Sequence, residues 1–446
     1  MAPCPVAGID ARCGSLTVPE NRTSRTGRTI ALNIVVLPAE KQPPAADPIF
    51  YLAGGPGQGA TTLAPTGIVD LALREQHDLV FVDQRGTGQS NPLDCELPGS
   101  PANPQGYLDE VFQTTVFERC RDLLAARADL TQYTTAAAAD DLDDVRAAFG
   151  YARLNLSGGS YGTRMALTYM RRHPERVRSA VLNGVAPPSL RNPLYHARES
   201  QRAIDGLFDE CAADPPCRAA FPRVRDEFHA VLTRLDRGPA RGSLSLPGAA
   251  PVPVIISRYA FAETIRRMLY YLGSSRQVPL AVHRAHQGDF SIVVQRAAEQ
   301  RRSVTRLAHG MLLSTTCTED VARIREDDIA AMTAATFLGA DRVRQQQRVC
   351  AIWPQPGQPA EGGAPVHSEA PVLLLSGTLD PVTPPHWADE ALRSLPNGRH
   401  IVVPGAHGVG GPCIGQIVRD FIQTGTARDL RTACTAEVRL PPFVIN

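Results

Sequence analysis

Ser160 stands in a pattern that can activate a serine hydroxyl. The stretch LNLSGGSYGT, residues 154–163, runs from a mostly apolar segment through Gly158, Ser160 and Gly162 into a segment with helical spacing. A tight strand-turn-helix built on small residues lifts the hydroxyl above a sheet, and the helix adds its positive dipole end. We therefore predict Ser160 as a nucleophile, which must be exposed and held close to a base. The alternative is a glycine-rich turn with an idle serine.

A serine nucleophile of this type is followed along the chain by an acid and then by a histidine. Asp380 comes just after an apolar run in LLLSGTLDPVTP, and His407 follows the last apolar run in IVVPGAHGVG. We expect His407 to accept the hydroxyl proton and deliver it to the leaving group, while Asp380 fixes its tautomer. A turn-forming Asp-Pro and an exposed loop histidine are the alternatives. His386 and His400 are less suitable, since the first lies in a helix-like stretch and the second precedes its strand.

The glycine run YLAGGPGQGA, residues 51–60, supplies a backbone donor for the charge that develops during acyl transfer. The N–H of Gly55 and the N–H of Tyr161 are the predicted oxyanion-hole pair. A phosphate-binding loop is the rival interpretation, but the run has no GK[ST] ending and no GxGxxG register.

Short apolar runs, each ending in glycine or a polar loop, predict the strands that position these residues. They are PIFYLAGG, HDLVFVDQRG, LNLSGG, RSAVLNG, PVLLLSG and RHIVVPG. Helical patterns such as AADDLDDVRAAFG and TRMALTYMRRHPERV lie between several of them, after an opening hairpin formed by GSLTVPENR and RTIALNIVVLPA. This alternation predicts an α/β fold with a mostly parallel, doubly wound sheet of about eight strands. Ligands bind at the carboxyl ends of the strands in such a sheet.

The alternation of strands and helices stops near Pro187 and resumes near Pro371. We predict a core made of residues 1–186 and 366–446, with a mainly helical cap over residues 187–365 above the carboxyl edge of the sheet. One strand-like stretch, GSLSLPGAAPVPVII, interrupts the helical patterns, and PQPGQPAEGGAP forms the predicted return linker.

Composition excludes several classes of partner. Lys and Arg total 46 against 45 for Asp and Glu, so the net charge of +1 gives no electrostatic argument for nucleic acid or an anionic membrane. No apolar run reaches the roughly 18 to 20 residues that span a bilayer. No motif calls for a metal or an organic cofactor.

The ten cysteines predict an oxidising compartment. None lies in a CxxC, and the nearby histidines do not fall at zinc spacing. Consecutive cysteines are close in sequence and suit five local disulfides, Cys4–Cys13, Cys95–Cys120, Cys211–Cys217, Cys317–Cys350 and Cys413–Cys434. These bonds imply a periplasmic or secreted protein whose signal peptide is absent from the sequence as given, since MAPCPVAG lacks that pattern. Ten reduced core thiols in a cytosolic enzyme are the alternative.

Five motifs together resemble a known family. GGPGQG, DQRGTGQS, GGSYGT, GTLDPVTP and PGAHG, in this order and spacing, are similar to the proline iminopeptidase and tripeptidyl aminopeptidase group of α/β-hydrolases. The likeness is strongest to exported bacterial members with a cysteine-bearing cap and a C-terminal segment of the tripeptidyl aminopeptidase type.

The resemblance implies a serine exopeptidase that releases a residue or a short peptide from a free N-terminus. It carries over Ser160, Asp380 and His407 as the triad, with Gly55 and Tyr161 at the oxyanion hole. DQRG, residues 83–86, is a family signature that we interpret as support for neighbouring loops. Ala53 departs from the family, because many relatives have a histidine before GGPG.

An exopeptidase of this kind needs an anion for the ammonium group of its substrate. A buried carboxylate in the cap would bind the amine and reject blocked peptides, since an unpaired buried charge is costly. Glu319, in LLSTTCTEDVARI close to Cys317, is the best candidate, with Asp320 beside it, and relatives carry a similar C-x-E-D stretch. The alternative is that both residues cap the helix that follows.

Two further functions stay open from the sequence. An esterase or other acyl hydrolase on the same scaffold would use the same triad, because a fold does not fix its substrate. A binding protein that has lost turnover is the third hypothesis, and the intact set of Ser160, Asp380 and His407 argues against it.

Overall fold

A mostly parallel β-sheet forms the centre of the molecule in the computed structural model, which describes residues 1–6, 8–66, 69–248, 250–357 and 362–446. The strands are β1 (Ala2–Val6), β2 (Ile9–Pro19), β3 (Thr29–Leu37), β4 (Ile49–Leu52), β5 (Leu79–Val82), β6 (Leu154–Gly159), β7 (Val177–Asn183), β8 (Ala240–Leu244), β9 (Val252–Ile256), β10 (Val372–Gly377) and β11 (Gly398–Val403). Within the described residues, nine of them form one sheet in the order β1-β2-β3-β5-β4-β6-β7-β10-β11, and β8 pairs with β9 in a separate hairpin.

The pairing confirms the predicted fold class. From β5 to β11 neighbouring strands of this sheet are parallel, whereas β1, β2 and β3 join antiparallel at one edge. All residues of β4, β5 and β10 are buried, as expected for strands covered on both faces. The sheet has nine strands, one more than the predicted number of about eight, because β1 was not predicted. Pro3 and Pro5 obscure that strand in the sequence, yet both are tolerated at a sheet edge.

Helices cover the sheet and fill the interval between β7 and β10. They are α1 (Thr114–Ala125), α2 (Thr135–Ala148), α3 (Tyr161–Arg172), α4 (His196–Ala213), α5 (Pro215–Ala220), α6 (Val224–Arg237), α7 (Arg258–Met268), α8 (Leu272–Ser275), α9 (Val278–His286), α10 (Ser291–Val304), α11 (His309–Glu319), α12 (Glu326–Thr333), α13 (Asp341–Cys350), α14 (Pro385–Leu392) and α15 (Pro412–Thr424). Polar caps set several of these starts. Thr134 and Ser257, for example, accept hydrogen bonds from the first turns of α2 and α7. No helix in the described ranges is long and apolar enough to cross a bilayer.

The helices between β7 and β10 divide between two hydrophobic cores. Phe208, Phe228 and Phe261 bring α4, α6 and α7 together in a core of their own, with ring centroids 5.7 and 6.0 Å apart. In contrast, Leu313 of α11 and Val349 of α13 pack into the core around the sheet. The predicted linker PQPGQPAEGGAP falls partly outside the described residues, at 358–361.

The carboxyl ends of the parallel strands carry the predicted chemistry. Gly55 follows β4, Ser160 follows β6, Asp380 follows β10 and His407 follows β11. Because parallel strands present their carboxyl ends at one edge, four segments distant in sequence meet there.

All ten cysteines form the five predicted disulfides. Cys317–Cys350 joins α11 to α13, and both of its sulfurs lie in buried residues. Cys4–Cys13 joins β1 to β2 at the edge of the sheet, where both residues are partly exposed.

We expect the double change Cys317→Ala and Cys350→Ala to lower the free energy of unfolding by about 4 kcal/mol, since the bond closes a loop of 33 residues of sequence separation. Chemical denaturation followed by circular dichroism measures this loss.

The matched control is Cys4→Ala with Cys13→Ala, which opens a loop of only 9 residues of separation at the surface and should cost less, about 3 kcal/mol or below. Thiol titration of the denatured wild type should find no free thiol. An equal or larger loss in the control would contradict the stabilising role assigned to the bond between α11 and α13.

Candidate active site

Ser160 occupies a strained turn that glycines make possible. It lies between β6 and α3 with φ 55° and ψ −123°, a conformation that L-residues adopt only when their surroundings impose it. A Cβ added to Gly158 would lie 2.4 Å from the carbonyl oxygen of Gly162. A Cβ added to Gly162 would lie 2.2 Å from the carbonyl oxygen of Leu52. The GxSxG spacing is therefore a packing requirement of the crossing between β4, β6 and α3.

Backbone hydrogen bonds fix the position of this turn. The N–H of Ser160 donates to the carbonyl oxygen of Asn183 at 2.9 Å, at the end of the neighbouring strand β7. The hydroxyl and the N–H of Thr163 both donate to the carbonyl oxygen of Ser160, at 2.6 and 2.9 Å. Ser160 is thus anchored on both sides through its main chain.

Asp380 and His407 are hydrogen-bonded to each other. His407 Nδ1 donates to the two carboxylate oxygens of Asp380 at 3.1 and 2.9 Å. Asp380 is fully buried, and it also accepts from the N–H groups of Val382 and Thr383 and from the Thr383 hydroxyl, at 2.8 to 2.9 Å. These bonds keep the proton of the imidazole on Nδ1 and leave Nε2 as the basic nitrogen.

The charge of Asp380 also tunes the base. Burial by itself would lower the pKa of His407, but the carboxylate of Asp380 outweighs burial through its charge and its hydrogen bond, so the pKa is raised above the usual value. Burial opposes the ionised form of Asp380 as well, yet His407 and the backbone donors lower the pKa of this carboxyl group. The pair is therefore an ionised acid beside a strengthened base.

Two neighbours hold the loop that carries His407. The ring of Tyr270 meets the imidazole edge to face at 5.3 Å between centroids, and the N–H of His407 donates to the Tyr270 carbonyl oxygen at 3.1 Å. The side chain of Asn183 donates to the carbonyl oxygen of Val409 at 2.7 Å and accepts from the N–H of Val409 at 2.9 Å. Asn183 therefore touches both the serine turn and the histidine loop.

Ser160 and His407 both lie next to the end of β7, and no hydrogen bond joins their side chains in the described structure. A Cβ on Gly184 would lie 3.4 Å from His407 Cε1, and Asn183, the preceding residue, holds the N–H of Ser160. Catalytic hydrogen bonds are often long before substrate binds and tighten in the complex. The structure brings the predicted acid and base together, and residues 183 and 184 connect their loop to the turn of the predicted nucleophile.

A second Ser-His-Asp set lies elsewhere in the sheet. His400 Nδ1 bonds to Asp389 at 2.8 Å, and His400 Nε2 bonds to the Ser376 hydroxyl at 2.9 Å. Ser376 is a fully buried residue inside β10, where no substrate can reach it. The remaining histidine considered above, His386, is half-exposed and lies 3.7 Å from Glu199. Neither histidine contacts Ser160.

The two predicted oxyanion donors have free N–H groups at the serine turn. Gly55 has φ +110° and its N–H donates to no described residue. The loop of Gly55 adjoins the nucleophile, because a Cβ on Gly54 would lie 3.3 Å from the Cβ of Ser160. Tyr161 is the first residue of α3, where an N–H has no partner within the helix. Both donors can serve an oxyanion that forms on the substrate.

The DQRG segment supports these loops. Asp83 accepts from the N–H and the hydroxyl of Thr61, which follows the glycine run, and from Gln89. Arg85 is fully buried, and its guanidinium binds the carboxylate of Asp141 at 2.6 and 2.7 Å. Further bonds from Arg85 to the carbonyl oxygens of Pro19, Glu20 and Gln132 satisfy the rest of its donors. These contacts fit the structural interpretation of the segment.

Glu319 and Asp320 have different partners. Glu319 ends α11 and accepts from the N–H and the hydroxyl of Thr135, each at 2.7 Å. Asp320 accepts from Arg164 at 2.7 Å inside the protein and lies 3.5 Å from Arg323. Neither side chain caps the turn that begins at Val321, so the capping alternative is wrong. Asp320 is neutralised by arginine, whereas no described cation lies within ion-pair distance of Glu319.

A chain of hydrogen bonds connects Glu319 to the serine turn. Gln84 donates to the hydroxyl of Tyr161 at 3.0 Å, and this hydroxyl lies 2.8 Å from the hydroxyl of Thr135, which donates to Glu319. Burial raises the pKa of Glu319, while Arg164 and the bonds from Thr135 oppose the rise. Glu319 is thus connected to the residue next to the nucleophile, and no described cation forms an ion pair with it.

Sequence reasoning missed Thr135, Asn183, Tyr270 and Thr383. Thr383 lies in the quoted motif GTLDPVTP, where its spacing from Asp380 would have been a signal, and Asn183 ends the quoted apolar run RSAVLNG. No group of acidic, histidine and cysteine side chains suited to a metal ion occurs in the described part of the chain.

Comparison with known proteins agrees with the fold and with a serine hydrolase. Residues 47–235 match the family model of the alpha/beta hydrolase fold, and residues 335–434 match that of TAP-like proteins. The chain is 27% identical to serine protease Hip1 of Mycobacterium tuberculosis, covering 95% of this chain and 87% of that protein. It is 26% identical to tripeptidyl aminopeptidase of Streptomyces lividans, covering 96% and 84%. It is also 26% identical to carboxylesterase B of Mycobacterium tuberculosis, covering 86% and 78%.

We expect a fluorophosphonate probe to label the native protein and to lose all labelling in Ser160→Ala, because Ser160 lies beside both predicted oxyanion donors. Gel fluorescence after labelling measures this. Ser376→Ala is the matched control and should keep full labelling, since Ser376 is buried. Labelling that survives in Ser160→Ala would contradict the assignment of the nucleophile.

We expect kcat/KM to rise with pH, with a midpoint above the value of about 6.5 that is typical of histidine. His407 must be neutral to accept a proton, and its raised pKa means that activity is lost already as the pH falls through that higher value. Asp380→Asn should lower the rate by about 10⁴-fold and shift the midpoint downward. A pH series of initial rates measures both.

The control for this series is Asp389→Asn, which removes the corresponding carboxylate from His400 and should leave rate and midpoint unchanged. A wild-type midpoint at or below 6.5 would contradict the influence assigned to Asp380.

Proposed function

We propose that this chain, a serine hydrolase of the alpha/beta hydrolase fold with a TAP-like C-terminal part, releases residues or short peptides from the free N-termini of peptides. The names of two relatives, a serine protease and a tripeptidyl aminopeptidase, support peptide substrates. The observation that carries the proposal is Glu319, a carboxylate without a cationic partner that is connected to Tyr161 beside the nucleophile.

In the proposed mechanism, Ser160 attacks the carbonyl carbon of the scissile peptide bond. His407 Nε2 takes the proton of the Ser160 hydroxyl as the bond forms, and Asp380 stabilises the imidazolium. The N–H groups of Gly55 and Tyr161 bind the oxyanion of the tetrahedral intermediate. His407 then protonates the leaving amine, which departs and leaves an acyl-enzyme on Ser160. Water, deprotonated by His407, hydrolyses this ester and restores the serine.

Recognition of the free N-terminus follows from charge. A peptide ammonium group beside Glu319 would supply the cation that this carboxylate lacks, and charge-assisted hydrogen bonds are the stronger ones. An acetylated N-terminus brings no charge and leaves Glu319 unpaired, which disfavours binding of blocked peptides. Asp320 has a different role in this proposal, since its ion pair with Arg164 holds the end of α11 in place.

An esterase is the second candidate, because carboxylesterase B is a relative of similar identity. The proposed triad and oxyanion hole would hydrolyse an activated ester as readily as a peptide. Glu319 separates the two functions, since an ester substrate gains nothing from an anion placed for an amine.

The disulfides support maturation in an oxidising compartment. Five such bonds are common in exported proteins and rare in the cytosol of mesophiles. We therefore propose a periplasmic or secreted enzyme.

We expect Glu319→Gln to lower kcat/KM for peptide anilides with a free N-terminus by about 10- to 100-fold, because one charge-assisted bond is lost. Hydrolysis of a p-nitrophenyl ester by the same variant should be unchanged, which shows that the triad is intact. N-acetylated anilides should be poor substrates of both proteins. Initial-rate kinetics with these three substrates measures the effect.

Glu326→Gln is the matched control, because Glu326 is an exposed glutamate that pairs with Arg344 at the surface. It should retain wild-type kinetics on every substrate. Hydrolysis of the ester without hydrolysis of either the free or the acetylated anilide would favour the esterase.

A further inference from the structure

Guanidinium groups outnumber carboxylates around Glu263 in the helical region. Glu263 of α7 is buried, and its oxygens accept two bonds from Arg266, at 2.6 and 2.7 Å, and one from Arg267 at 2.8 Å. Arg342 of α13 lies close enough to feel these charges: after burial, which lowers its pKa most, the charge of Glu263 raises this pKa and the charges of Arg266 and Arg267 lower it. One carboxylate therefore faces three guanidinium groups, and its oxygens are already occupied by two of them.

Arg342 is the group left without a partner. Its guanidinium stacks 3.9 Å over the ring of Phe112 and makes no hydrogen bond or ion pair with any described residue. Its Nη1 atom is shielded from solvent and unbonded. Burial lowers the pKa of Arg342 to about 10, so the group still carries its charge at neutral pH. An unpaired, partly desolvated guanidinium is costly to maintain unless a ligand supplies its anion.

Other donors beside Arg342 are free as well. Arg267 uses only Nε for Glu263, and its two Nη atoms bond to no described residue. His196, the first residue of α4, has a buried Nδ1 with no partner. The charges of Arg266 and Arg342 add to burial in holding the pKa of His196 well below its usual value, so this ring is neutral. Arg342, Arg267 and the neutral His196 are here called the cationic cluster. The two guanidinium groups have unbonded N–H donors, and the cluster contains no carboxylate.

Contacts of residues beside the cationic cluster lead to the reaction centre along two paths. On one side, Arg266 donates to the hydroxyl of Tyr270 at 2.9 Å, and the ring of Tyr270 packs on His407. This is the side of the base that protonates the leaving amine.

On the other side, the guanidinium of Arg342 stacks on the ring of Phe112, whose centroid lies 6.3 Å from that of the His309 ring. The preceding residue, Ala308, donates from its N–H to the carbonyl oxygen of Gly57 in the oxyanion loop at 2.9 Å. These two contact chains link the residues around the cluster to the histidine loop and to the oxyanion loop.

We propose that the cationic cluster, with Arg342 as its principal residue, binds a carboxylate on the part of the peptide that leaves. This inference rests on the proposed exopeptidase function and adds a specificity to it. The carboxylate is either the free C-terminus of a short peptide or an acidic side chain that follows the scissile bond. Because Arg342 carries a planar fork of donors, it suits a carboxylate better than a point charge would.

The test measures binding in the Ser160→Ala background, so that no turnover is needed. Two tetrapeptides that differ only in a C-terminal acid or amide are titrated by calorimetry. The acid should bind about 10- to 100-fold more tightly than the amide. Two further peptide amides, with Asp or Asn at one internal position, separate the side-chain source from the C-terminal source.

Arg342→Gln should abolish the preference for the charged peptide, and Arg267→Gln should reduce it. Arg344→Gln is the matched control, because Arg344 lies on the same helix but pairs with Glu326 at the surface. Thermal melting of each variant verifies that it is folded, and the two cluster variants test the site independently.

Equal affinity for all peptides, no binding of any of them, or a preference that survives Arg342→Gln would overturn the proposal. A preference for the charged peptide that Arg342→Gln removes supports it, even if the active wild type cleaves none of the peptides. In that case the proposed exopeptidase function fails while the carboxylate site stands.

Discussion

The hydrogen bond between Asp380 and His407 is the interaction on which the active site depends. It requires β10 and β11 to be adjacent and parallel, since each strand delivers one partner at its carboxyl end. The serine turn arrives from β6, two strands away across β7. Asn183, at the end of that intermediate strand, bonds to both sides and sets the spacing between nucleophile and base. The sheet order is therefore part of the chemistry.

Much of the site could be predicted because its parts are local in sequence. Ser160 lies in a strand-turn-helix whose glycines are required, because a Cβ at Gly162 or Gly158 would lie 2.2 or 2.4 Å from a backbone oxygen. This requirement produces the GxSxG spacing that can be recognised in the sequence. The disulfides were predictable because each bond joins consecutive cysteines. Thr135 and Asn183 were not, since their importance comes from partners that lie far away along the chain. The edge strand β1 was hidden by its prolines.

The same limits apply to roles. The sequence favoured Glu319 over its neighbour Asp320 as the anion for the ammonium group, and packing separates their partners, because Arg164 forms its ion pair with Asp320 and not with Glu319. Likewise, Ser376, His400 and Asp389 form a better hydrogen-bonded series than the proposed triad. The complete burial of Ser376 inside β10 decides against them. Residue types and distances are necessary for this chemistry, but access to the hydroxyl and the position of backbone dipoles decide where it occurs.

The bond between Cys317 and Cys350 has a geometric consequence for the two unpaired charges of the proposed substrate cleft. Glu319 lies two residues beyond one of these cysteines on α11, and Arg342 lies on α13, the helix that ends at the other. The two helices are covalently tied, with Cα atoms 5.2 Å apart at the bridge. An anion and a cation mounted on such a frame keep a constant separation. If both proposals above hold, this frame favours peptides whose ammonium and carboxylate groups match the separation of Glu319 and Arg342.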